Sequence, residues 1–355
     1  MKDFYKNKKV LITGNTGFKG SWMTQMLLLL GAEVTGIALE PATTPNLYNI
    51  LNQKSRIKEY IADIRDYDRI ADIFCKEKPE IVFHLAAQPI VLDSYKNPRY
   101  TYDVNVMGTV NVCECVRKTE SVKSFVNVTT DKVYQNNEWE FPYRETDRLD
   151  GFDPYSNSKS CSELVTATYI RSFFEERDLA VSTCRAGNVI GGGDFSPFRI
   201  LPDCYRDTVS GTGISVRNPY SVRPYQHVLE AVVFYLLVAK LQWENKALAG
   251  SYNVGPEHAD CLKTSEVCTL FCNFWGEDAS WKVTGSNGPH EANILRLDTS
   301  KAKTKLGWKP AWNVERAIEE TVKWYKCFAE KDDMIKVTEE QIKAYLVECN
   351  DFKML

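Results

Sequence analysis

The chain has 355 residues, enough for two domains or for one large α/β unit with an elaborated end. Its apolar content of 44% and charged content of 26% are ordinary for a globular protein, and a net charge of -3 offers no basic surface to nucleic acid. Eleven cysteines form no Cys-x-x-Cys pair, and four histidines lack the spacing of metal ligands. Residues 1–9 contain no apolar signal core, and no apolar run is long enough to span a bilayer. We therefore expect a cytoplasmic protein with unpaired thiols, no metal, no membrane segment and no nucleic-acid partner.

Patterns typical of buried strands and of helices alternate along the first 185 residues. Strands are predicted at 9–13, 33–39, 57–61, 81–85, 124–128 and 180–185, and helices at 21–30, 67–77, 99–118 and 155–176. This alternation predicts an α/β protein with a Rossmann-type, doubly wound parallel sheet.

After residue 187 the alternation weakens and turn residues multiply. We predict a main domain over residues 1–186, a smaller interleaved lobe over 187–330 and a helical tail over 331–355. The first boundary is soft, because residues 231–241 form an apolar helix pattern that can return to the main sheet.

Three glycines separate the first predicted strand from the first predicted helix. Gly14, Gly17 and Gly20 permit a tight turn and let the backbone approach a pyrophosphate at the helix N-terminus. A turn without a ligand has the same glycines, but here the strand, the spacing and the helix all agree. The sequence therefore predicts a dinucleotide site, with Thr16 and Phe18 in the same loop.

An acid at the end of the second predicted strand indicates which dinucleotide is bound. Glu40 lies twenty residues after Gly20, where a carboxylate accepts hydrogen bonds from ribose hydroxyls and repels a 2′-phosphate. This position favours NAD over NADP, the alternative being an exposed loop acid. Asp63 follows the third strand and either meets the adenine or caps the next helix. The remaining predicted cofactor contacts are Ile64, Ala86, Ala87, Asn105, Tyr155 and Lys159.

A tyrosine and a lysine lie one helical turn apart after the strand that leads to Thr130. Lys159 would favour the tyrosinate of Tyr155, and a tyrosine with a pKa near 10 needs such help to act as a base at neutral pH. An ordinary helix start is the alternative. His84, in contrast, is expected to be a buried structural histidine.

Longer motifs make the chain resemble the extended short-chain dehydrogenase/reductase family, and within it the CDP-glucose 4,6-dehydratases. The resemblance covers nearly the whole chain, and its motifs after residue 180 are the most discriminating. They are Gly14–Gly20, Phe83–Pro89, Asn105–Thr109, Thr130–Lys132, Asp153–Lys159, Arg185–Asp194, Arg217–Val228 and Pro289–Glu291.

The resemblance implies a redox-neutral dehydration of a nucleotide hexose with NAD as cofactor. Tyr155 would take the proton of the C4 hydroxyl of the sugar, and Thr130 would form a hydrogen bond with the same hydroxyl. Asp131 would then be the acid at the C6 oxygen and Lys132 the base at C5, although these two roles can be exchanged. A solvated turn pair is the alternative for both residues.

The resemblance also implies a substrate-binding lobe and a homodimer. The implied substrate contacts are Gln88, Asn188, Arg199, Arg217, Arg223, His227 and His290. A surface salt bridge is the alternative role for each of the arginines. The family dimerises through helices near 99–118 and 155–176, which form a four-helix bundle. One departure from the family is Leu92-Asp93, which stands where a basic residue is usual.

Two other functions remain open at this point. A nucleotide-sugar 4-epimerase uses the tyrosine, the lysine and the threonine but needs no acid–base pair for C5 and C6, so Asp131 and Lys132 favour the dehydratase. A non-catalytic NAD-binding scaffold would be expected to lack Tyr155 or Lys159, and both are present.

Overall fold

The structure, a computed structural model, describes residues 1–277, 279–285 and 294–349. Their strands are β1 Lys9–Thr13, β2 Glu33–Ala38, β3 Lys58–Ile61, β4 Ile81–His84, β5 Ser124–Thr130, β6 Ala180–Ala186, β7 Asn188–Ile190, β8 Ile214–Val216, β9 Val222–His227, β10 Ser251–Val254, β11 Cys261–Lys263 and β12 Trp281–Val283. Their helices are α1 Lys2–Tyr5, α2 Phe18–Leu29, α3 Leu47–Ile50, α4 Tyr67–Glu77, α5 Val91–Lys96, α6 Pro98–Tyr102, α7 Gly108–Lys118, α8 Pro154–Tyr169, α9 Ile200–Val209, α10 Val228–Glu244, α11 Thr264–Trp275, α12 Ser300–Leu306, α13 Val314–Ala329 and α14 Met334–Glu348.

Seven parallel strands form the central sheet, in the order β10-β6-β5-β4-β1-β2-β3. The order reverses between β1 and β4, so the carboxyl ends of these strands open a crevice where ligands of such folds bind. The predicted parallel sheet and its six strands are confirmed. The fifth strand extends two residues beyond its predicted end, to Thr130.

Alternation along the strands divides the core between the two faces of the sheet. Val10 and Ile12 of β1 pack with α2 and α10, whereas Leu11 packs on the opposite face with α4 and α7. The predicted helix 99–118 is divided, because a π-helical turn at Asp103–Met107 separates α6 from α7. A second π-helical turn, Ile170–Phe174, follows α8.

The second part of the chain is shared between the main sheet and a smaller lobe. β10 extends the main sheet beside β6, and α10 packs against β5 and β6. β7, β9 and β11 form a three-stranded sheet, and β8 pairs with β12. The lobe is therefore interleaved with the sheet, and residues 187–330 do not form a separate body.

All eleven cysteines lie in the described ranges, and none of them forms a disulfide. No helix within these ranges is long and apolar enough to cross a membrane.

A buried carboxylate connects α10 to the C-terminal helix. Glu230 is 0% exposed, and its Oε1 accepts hydrogen bonds from the amides of Ala311 and Trp312 at 2.8 and 2.7 Å. Its Oε2 accepts a hydrogen bond from the Tyr345 hydroxyl at 2.7 Å. Burial raises the pKa of Glu230 to about 7, although these hydrogen bonds oppose the change. The negative charge at Glu230 therefore destabilises the folded state.

We predict that Glu230→Gln stabilises the protein increasingly as the pH rises. The amide oxygen can accept both backbone hydrogen bonds, and the amide nitrogen can donate to Tyr345. Because the folded pKa of Glu230 lies above its unfolded value, the wild-type fold binds the extra proton at low pH. The free energy of unfolding that this proton contributes is lost as the pH rises from about 4.5 to about 7. The variant should gain up to about 3 kcal/mol relative to wild type across this interval.

The measurement is the urea midpoint of both proteins at pH 5 and pH 8. Glu244→Gln is the matched control, because Glu244 is on the same helix with its side chain half exposed. The control should shift little, and equally, at the two pH values. A Glu230→Gln variant that differs from wild type by the same amount at both values would contradict the prediction.

Candidate active site

The glycine loop lies between β1 and α2 and presses against the end of β4. Gly14 has a φ of +82°, and a Cβ there would lie 2.8 Å from the amide nitrogen of Ala86. A Cβ at Gly20 would lie 2.1 Å from the carbonyl oxygen of Gly14, so neither glycine can be replaced without movement. Gly17 is exposed, and a Cβ there would meet only the Gly14 oxygen at 3.4 Å. The outer side of the loop is therefore open beside the N-terminus of α2 and fits a pyrophosphate.

A hydrogen bond joins this loop to the end of β2. The Thr16 hydroxyl donates to the carbonyl oxygen of Leu39 at 2.9 Å, which places the exposed Glu40 beside the loop. Phe18 begins α2, with its ring near Gly191. These positions fit the adenosine half of a dinucleotide, since the carboxylate lies where ribose hydroxyls are bound in such folds.

Asp63 was predicted either to meet the adenine or to cap the next helix, and the second of these predictions is wrong. Asp66, and not Asp63, caps α4, through a hydrogen bond from the Arg69 amide at 3.1 Å. Asp63 instead accepts hydrogen bonds from Arg65, whose Nη2 lies 2.7 Å from Oδ2. Burial raises the pKa of Asp63, but the hydrogen bonds and charge of Arg65 outweigh it and lower the pKa. Ile64 is buried in the adjacent core cluster.

His84 is buried, as predicted. Its Nδ1 lies 2.7 Å from the Thr13 hydroxyl and its Nε2 lies 3.2 Å from the Thr109 hydroxyl. Burial lowers the pKa of His84 to about 3, with Lys159 acting in the same direction, so the imidazole is neutral. Ala86 and Ala87 follow it, half-buried, beside the glycine loop.

Asn105, predicted as a direct cofactor contact, uses its amide within the protein. Its Oδ1 accepts from the amide of Gln88 at 2.8 Å, and its Nδ2 donates to the Gln88 carbonyl and to Ser158 at 3.1 and 2.9 Å. Gln88 in turn donates to Thr101 and accepts from the amide of Ile90. Asn105 therefore connects the turn after β4 to α8, and its direct contact with the cofactor stays a prediction.

The catalytic candidates meet where β5 ends and α8 begins. Asp153 caps α8 by accepting from the Ser156 amide at 3.0 Å, which places Tyr155 in the first turn. The Thr130 hydroxyl donates to Asp131 Oδ1 at 2.9 Å and is also a hydrogen-bond partner of Tyr155. Lys159 is 4% exposed, and its Nζ donates to the carbonyl oxygen of Val128 at 3.1 Å.

Burial changes the proton affinity of each of these groups. It lowers the pKa of Lys159 to about 8, with the charge of Glu163 opposing it. It raises the pKa of Tyr155 to about 12, although the hydrogen bond with Thr130 opposes the increase. Without further positive charge, Tyr155 is therefore protonated at neutral pH.

Asp131 has the environment of a buried acid. Its side chain is 1% exposed, and its Oδ2 has no hydrogen-bond partner among the described residues. Burial raises the pKa of Asp131, with the positive charge of Lys132 as the main opposing influence. A carboxyl group with one unpartnered oxygen and a raised pKa can hold a proton and donate it.

Two residues that the sequence analysis did not assign also belong to this cluster. Asp194 accepts from Arg199 at 2.7 Å, which directs that guanidinium toward the site at the start of α9. Lys19 follows Phe18 in the first turn of α2. Burial lowers the pKa of Lys19 to about 8, with Arg199 and Lys159 acting in the same direction. Its place inside the glycine motif was the signal available in the sequence.

The predicted substrate contacts are distributed around this cluster. Arg223 is buried on β9, donates to the carbonyl oxygen of Val222 at 2.9 Å, and lies close enough to Asp131 to lower its pKa. Asn188 begins β7 and is half-buried, whereas Arg217 is exposed after β8. His290 lies outside the described residues.

His227 requires a correction, because it does not line the site. Its imidazole is 0% exposed and lies between the rings of Trp22 and Trp312, at centroid distances of 5.8 and 5.0 Å. Its Nδ1 accepts from the amide of Leu229 at 3.2 Å and caps α10. Burial lowers the pKa of His227 to about 3, so it is a neutral structural residue.

The sheet, the glycine loop and the Thr130–Tyr155–Lys159 cluster together define a dinucleotide-dependent enzyme of the short-chain dehydrogenase/reductase class. The profile of the GDP-mannose 4,6 dehydratase family matches residues 11–247, and the chain belongs to this family.

Individual relatives agree with this assignment. The chain is 42% identical to a CDP-glucose 4,6-dehydratase from Salmonella typhimurium over 97% of this chain and 98% of the relative. A UDP-glucose 4-epimerase structure with UDP-glucose, from Thermotoga maritima, has a TM-score of 0.79 at 25% identity and covers 90% of this chain and 99% of its own. A dTDP-glucose 4,6-dehydratase from Bacillus anthracis, in complex with NAD, has a TM-score of 0.76 at 21% identity and covers 92% and 99%. This last similarity supports the fold alone.

Proposed function

We propose that the protein is an NAD-dependent CDP-D-glucose 4,6-dehydratase, a hydro-lyase that makes the 4-keto-6-deoxy sugar. The observation that supports it most directly is Asp131, a buried carboxyl group with a raised pKa beside Thr130 and Tyr155. The 42% identity to a CDP-glucose 4,6-dehydratase along nearly the full chain supports the same reaction.

The first stage is oxidation at C4 of the hexose. Bound NAD would supply the acceptor for the C4 hydride and later return that hydride to C6. Tyr155 takes the proton of the C4 hydroxyl, and Thr130 hydrogen-bonds both groups. Burial raises the pKa of Tyr155 to about 12, and Lys159, which is held by Val128 one helical turn away, would favour the tyrosinate.

The second stage removes water across C5 and C6. The 4-keto group acidifies the C5 hydrogen, which Lys132 removes as the base. Asp131 donates its proton to the C6 hydroxyl, which leaves as water, and Lys132 gives a proton back to C5 when the hydride returns to C6. This assignment fits the burial and the raised pKa of Asp131, whereas Lys132 is half-buried beside it.

The nucleotide diphosphate is the part of the substrate that the lobe would recognise. Arg199, oriented by Asp194, and Arg223 can pair with phosphate oxygens in a planar fork. The half-buried Asn188 would contact the diphosphate, and the exposed Arg217 would contact the phosphate and base end of the nucleotide. His290 remains a predicted contact from the sequence.

A nucleotide-sugar 4-epimerase is the second candidate, because a UDP-glucose 4-epimerase shares the fold at a TM-score of 0.79. Epimerisation needs Tyr155, Lys159 and Thr130 but no group for C5 and C6. The buried carboxyl of Asp131 therefore favours dehydration. An epimerase would leave the C6 hydroxyl in place.

The test is incubation of the protein and NAD with CDP-glucose, dTDP-glucose and GDP-mannose in separate reactions. Alkali then reveals a 4-keto-6-deoxy sugar by its ultraviolet chromophore. We expect the chromophore with CDP-glucose and much less with the other two. Absence of the chromophore with all three would reject the dehydratase, and a 4-epimeric hexose instead would establish the epimerase.

Asp131→Asn should separate the two stages of the reaction. The amide cannot donate a proton as the carboxyl does, so water loss should slow by about 10²–10⁴-fold. Oxidation at C4, seen as NADH absorbance, should persist, and so should exchange of the C5 hydrogen in deuterated water. Lys132→Met is the comparison, because it should lose the exchange as well. Full-rate release of C5-exchanged product by Asp131→Asn would contradict the assignment.

The proposal includes a cytoplasmic homodimer built from α6 to α8. The absence of disulfides among the described residues is consistent with a reducing compartment. On the proposed interface, Leu164 of α8 is 54% exposed, and Met107 and Phe173 are also exposed apolar residues. An exposed apolar surface on two adjacent helices fits a four-helix bundle between two copies of the chain.

Leu164→Glu should convert the dimer to a monomer, because it places a charge in the apolar centre of the bundle. Sedimentation equilibrium would measure the mass of the wild type and the variant. Val347→Glu is the matched control, since Val347 is 82% exposed on α14 and outside the proposed interface. A monomeric wild type, or a dimeric Leu164→Glu protein, would contradict the bundle.

A further inference from the structure

A buried ion pair lies directly behind the catalytic tyrosine and lysine. Glu163 of α8 and Arg185 of β6 have side chains that are 2% and 3% exposed. Arg185 Nη2 lies 2.9 Å from Glu163 Oε2, and Arg185 Nε lies 3.0 Å from Oε1, so the pair is bidentate. Both side chains are enclosed by protein.

The side chains of Glu163 and Arg185 also form hydrogen bonds with other residues around the pair. Glu163 accepts from the hydroxyls of Thr129 and Thr183, the latter at 2.7 Å. Arg185 Nη1 donates to the Tyr134 hydroxyl at 2.8 Å and to the carbonyl oxygen of Glu145. The pair therefore connects α8 to two neighbouring strands. Since apolar residues of similar size often stabilise a fold as well as a buried ion pair, stability alone does not explain it.

The position of Glu163 relative to the catalytic lysine suggests a second role. Glu163 lies one helical turn after Lys159, on the same side of α8. Lys159 donates to the carbonyl of Val128, and Glu163 accepts from the next residue, Thr129. Two successive residues of β5 therefore hold the amine and the carboxylate, and Thr130 follows immediately.

Other charged or titratable groups face the same amine from neighbouring elements. Lys19 of α2 adds like charge, and His84 of β4 is neutral. Tyr155 lies one turn before Lys159, and Asp131 follows β5 with a carboxyl group of raised pKa. Glu163 is thus the carboxylate whose charge acts directly on the lysine.

We propose that Glu163 is a positioning residue that keeps Lys159 protonated and holds α8 in register with β5, with Arg185 limiting the strength of its charge. This inference rests on the proposed function for its relevance to catalysis. The effect of the Glu163–Arg185 ion pair on the protonation of Lys159 can be tested without a substrate.

The electrostatic direction follows from burial. Burial lowers the pKa of Lys159 to about 8, and the charge of Glu163 opposes this change. Without that charge the amine would lose its proton nearer to neutral pH. A neutral Lys159 could not favour the tyrosinate of Tyr155, so activity would fall on the alkaline side first.

Removing each member of the pair should therefore have opposite effects on Lys159. Glu163→Gln should lower the pKa of Lys159 by about one pH unit or more. Arg185→Met removes the opposing positive charge, so that Glu163 alone acts on the amine, and should raise the pKa of Lys159. The measurement is the pH midpoint for acetylation of Lys159 by acetic anhydride in the protein without substrate, followed by mass spectrometry of its peptide. The alkaline limb of kcat/KM with CDP-glucose should move in the same two directions.

A control at another buried carboxylate, whose arginine partner is 38% exposed, separates this effect from the general loss of a buried, paired charge. Glu320 of α13 is also buried and pairs with Arg316 at 2.9 Å. Glu320→Gln should reduce stability yet leave the Lys159 midpoint unchanged. Because either single variant can fail to fold, the double variant Glu163→Met/Arg185→Met replaces both charges with apolar side chains. Its Lys159 midpoint should be lowered, as in Glu163→Gln.

Two results would overturn the inference. One is a Lys159 midpoint that Glu163→Gln and the double variant leave unchanged. The other is a shift in the same direction in Glu163→Gln and Arg185→Met, which would indicate general loosening. If the wild type turns over no nucleotide sugar, the acetylation midpoints still decide whether Glu163 controls Lys159. The two failures are therefore distinguishable.

Discussion

Asp131 and Lys159 are buried and Tyr155 is half-buried, and the protonation of all three groups depends on this burial. Desolvation disfavours charge of either sign, so it raises the pKa of Asp131 and Tyr155 and lowers that of Lys159. The burial that prepares Asp131 to donate a proton thus works against Tyr155 as a base. Specific partners must offset burial for each group separately, as Thr130 does for Tyr155 and Glu163 does for Lys159.

The way α8 packs makes this separate control possible. Along β5, Val126 and Val128 face the apolar core on one side of the sheet, whereas Asn127 and Thr129 face α8. The buried face of α8 is rich in Ser, Thr and Glu, so hydrogen bonds replace much of the apolar contact. Apolar faces tolerate small slips, but a directional hydrogen bond does not. This polar contact therefore fixes the height and rotation of the helix that presents Tyr155.

Local sequence signals predicted the features that a few neighbouring residues determine. The glycine loop, the parallel strands and the Tyr155–Lys159 spacing follow from turn geometry and from periodicity, and the structure places them as expected. His227, Asp63 and Glu163 could not be assigned in this way. The partners of His227 and Glu163 come from distant parts of the chain, namely tryptophans for His227 and β6 for Glu163. Arg65 is two residues from Asp63 but also pairs with Asp103, which follows α6. Tertiary packing, and not local pattern, decides such residues.

The positions of the candidate residues relative to the sheet suggest how one scaffold can support different reactions on nucleotide sugars. Asp131 and Lys132 lie in a short 3-10 turn after β5, outside the ladder that pairs β5 with β6. Under the proposed mechanism, changing them would alter the acid–base chemistry at C5 and C6 without breaking a strand pairing. Glu163 and Arg185 lie inside the fold, and the charge of Glu163 affects the pKa of Lys159, which both epimerisation and dehydration would require. In this proposal the buried ion pair would prepare the common oxidation at C4, and the two residues of the turn would determine the fate of the 4-keto sugar.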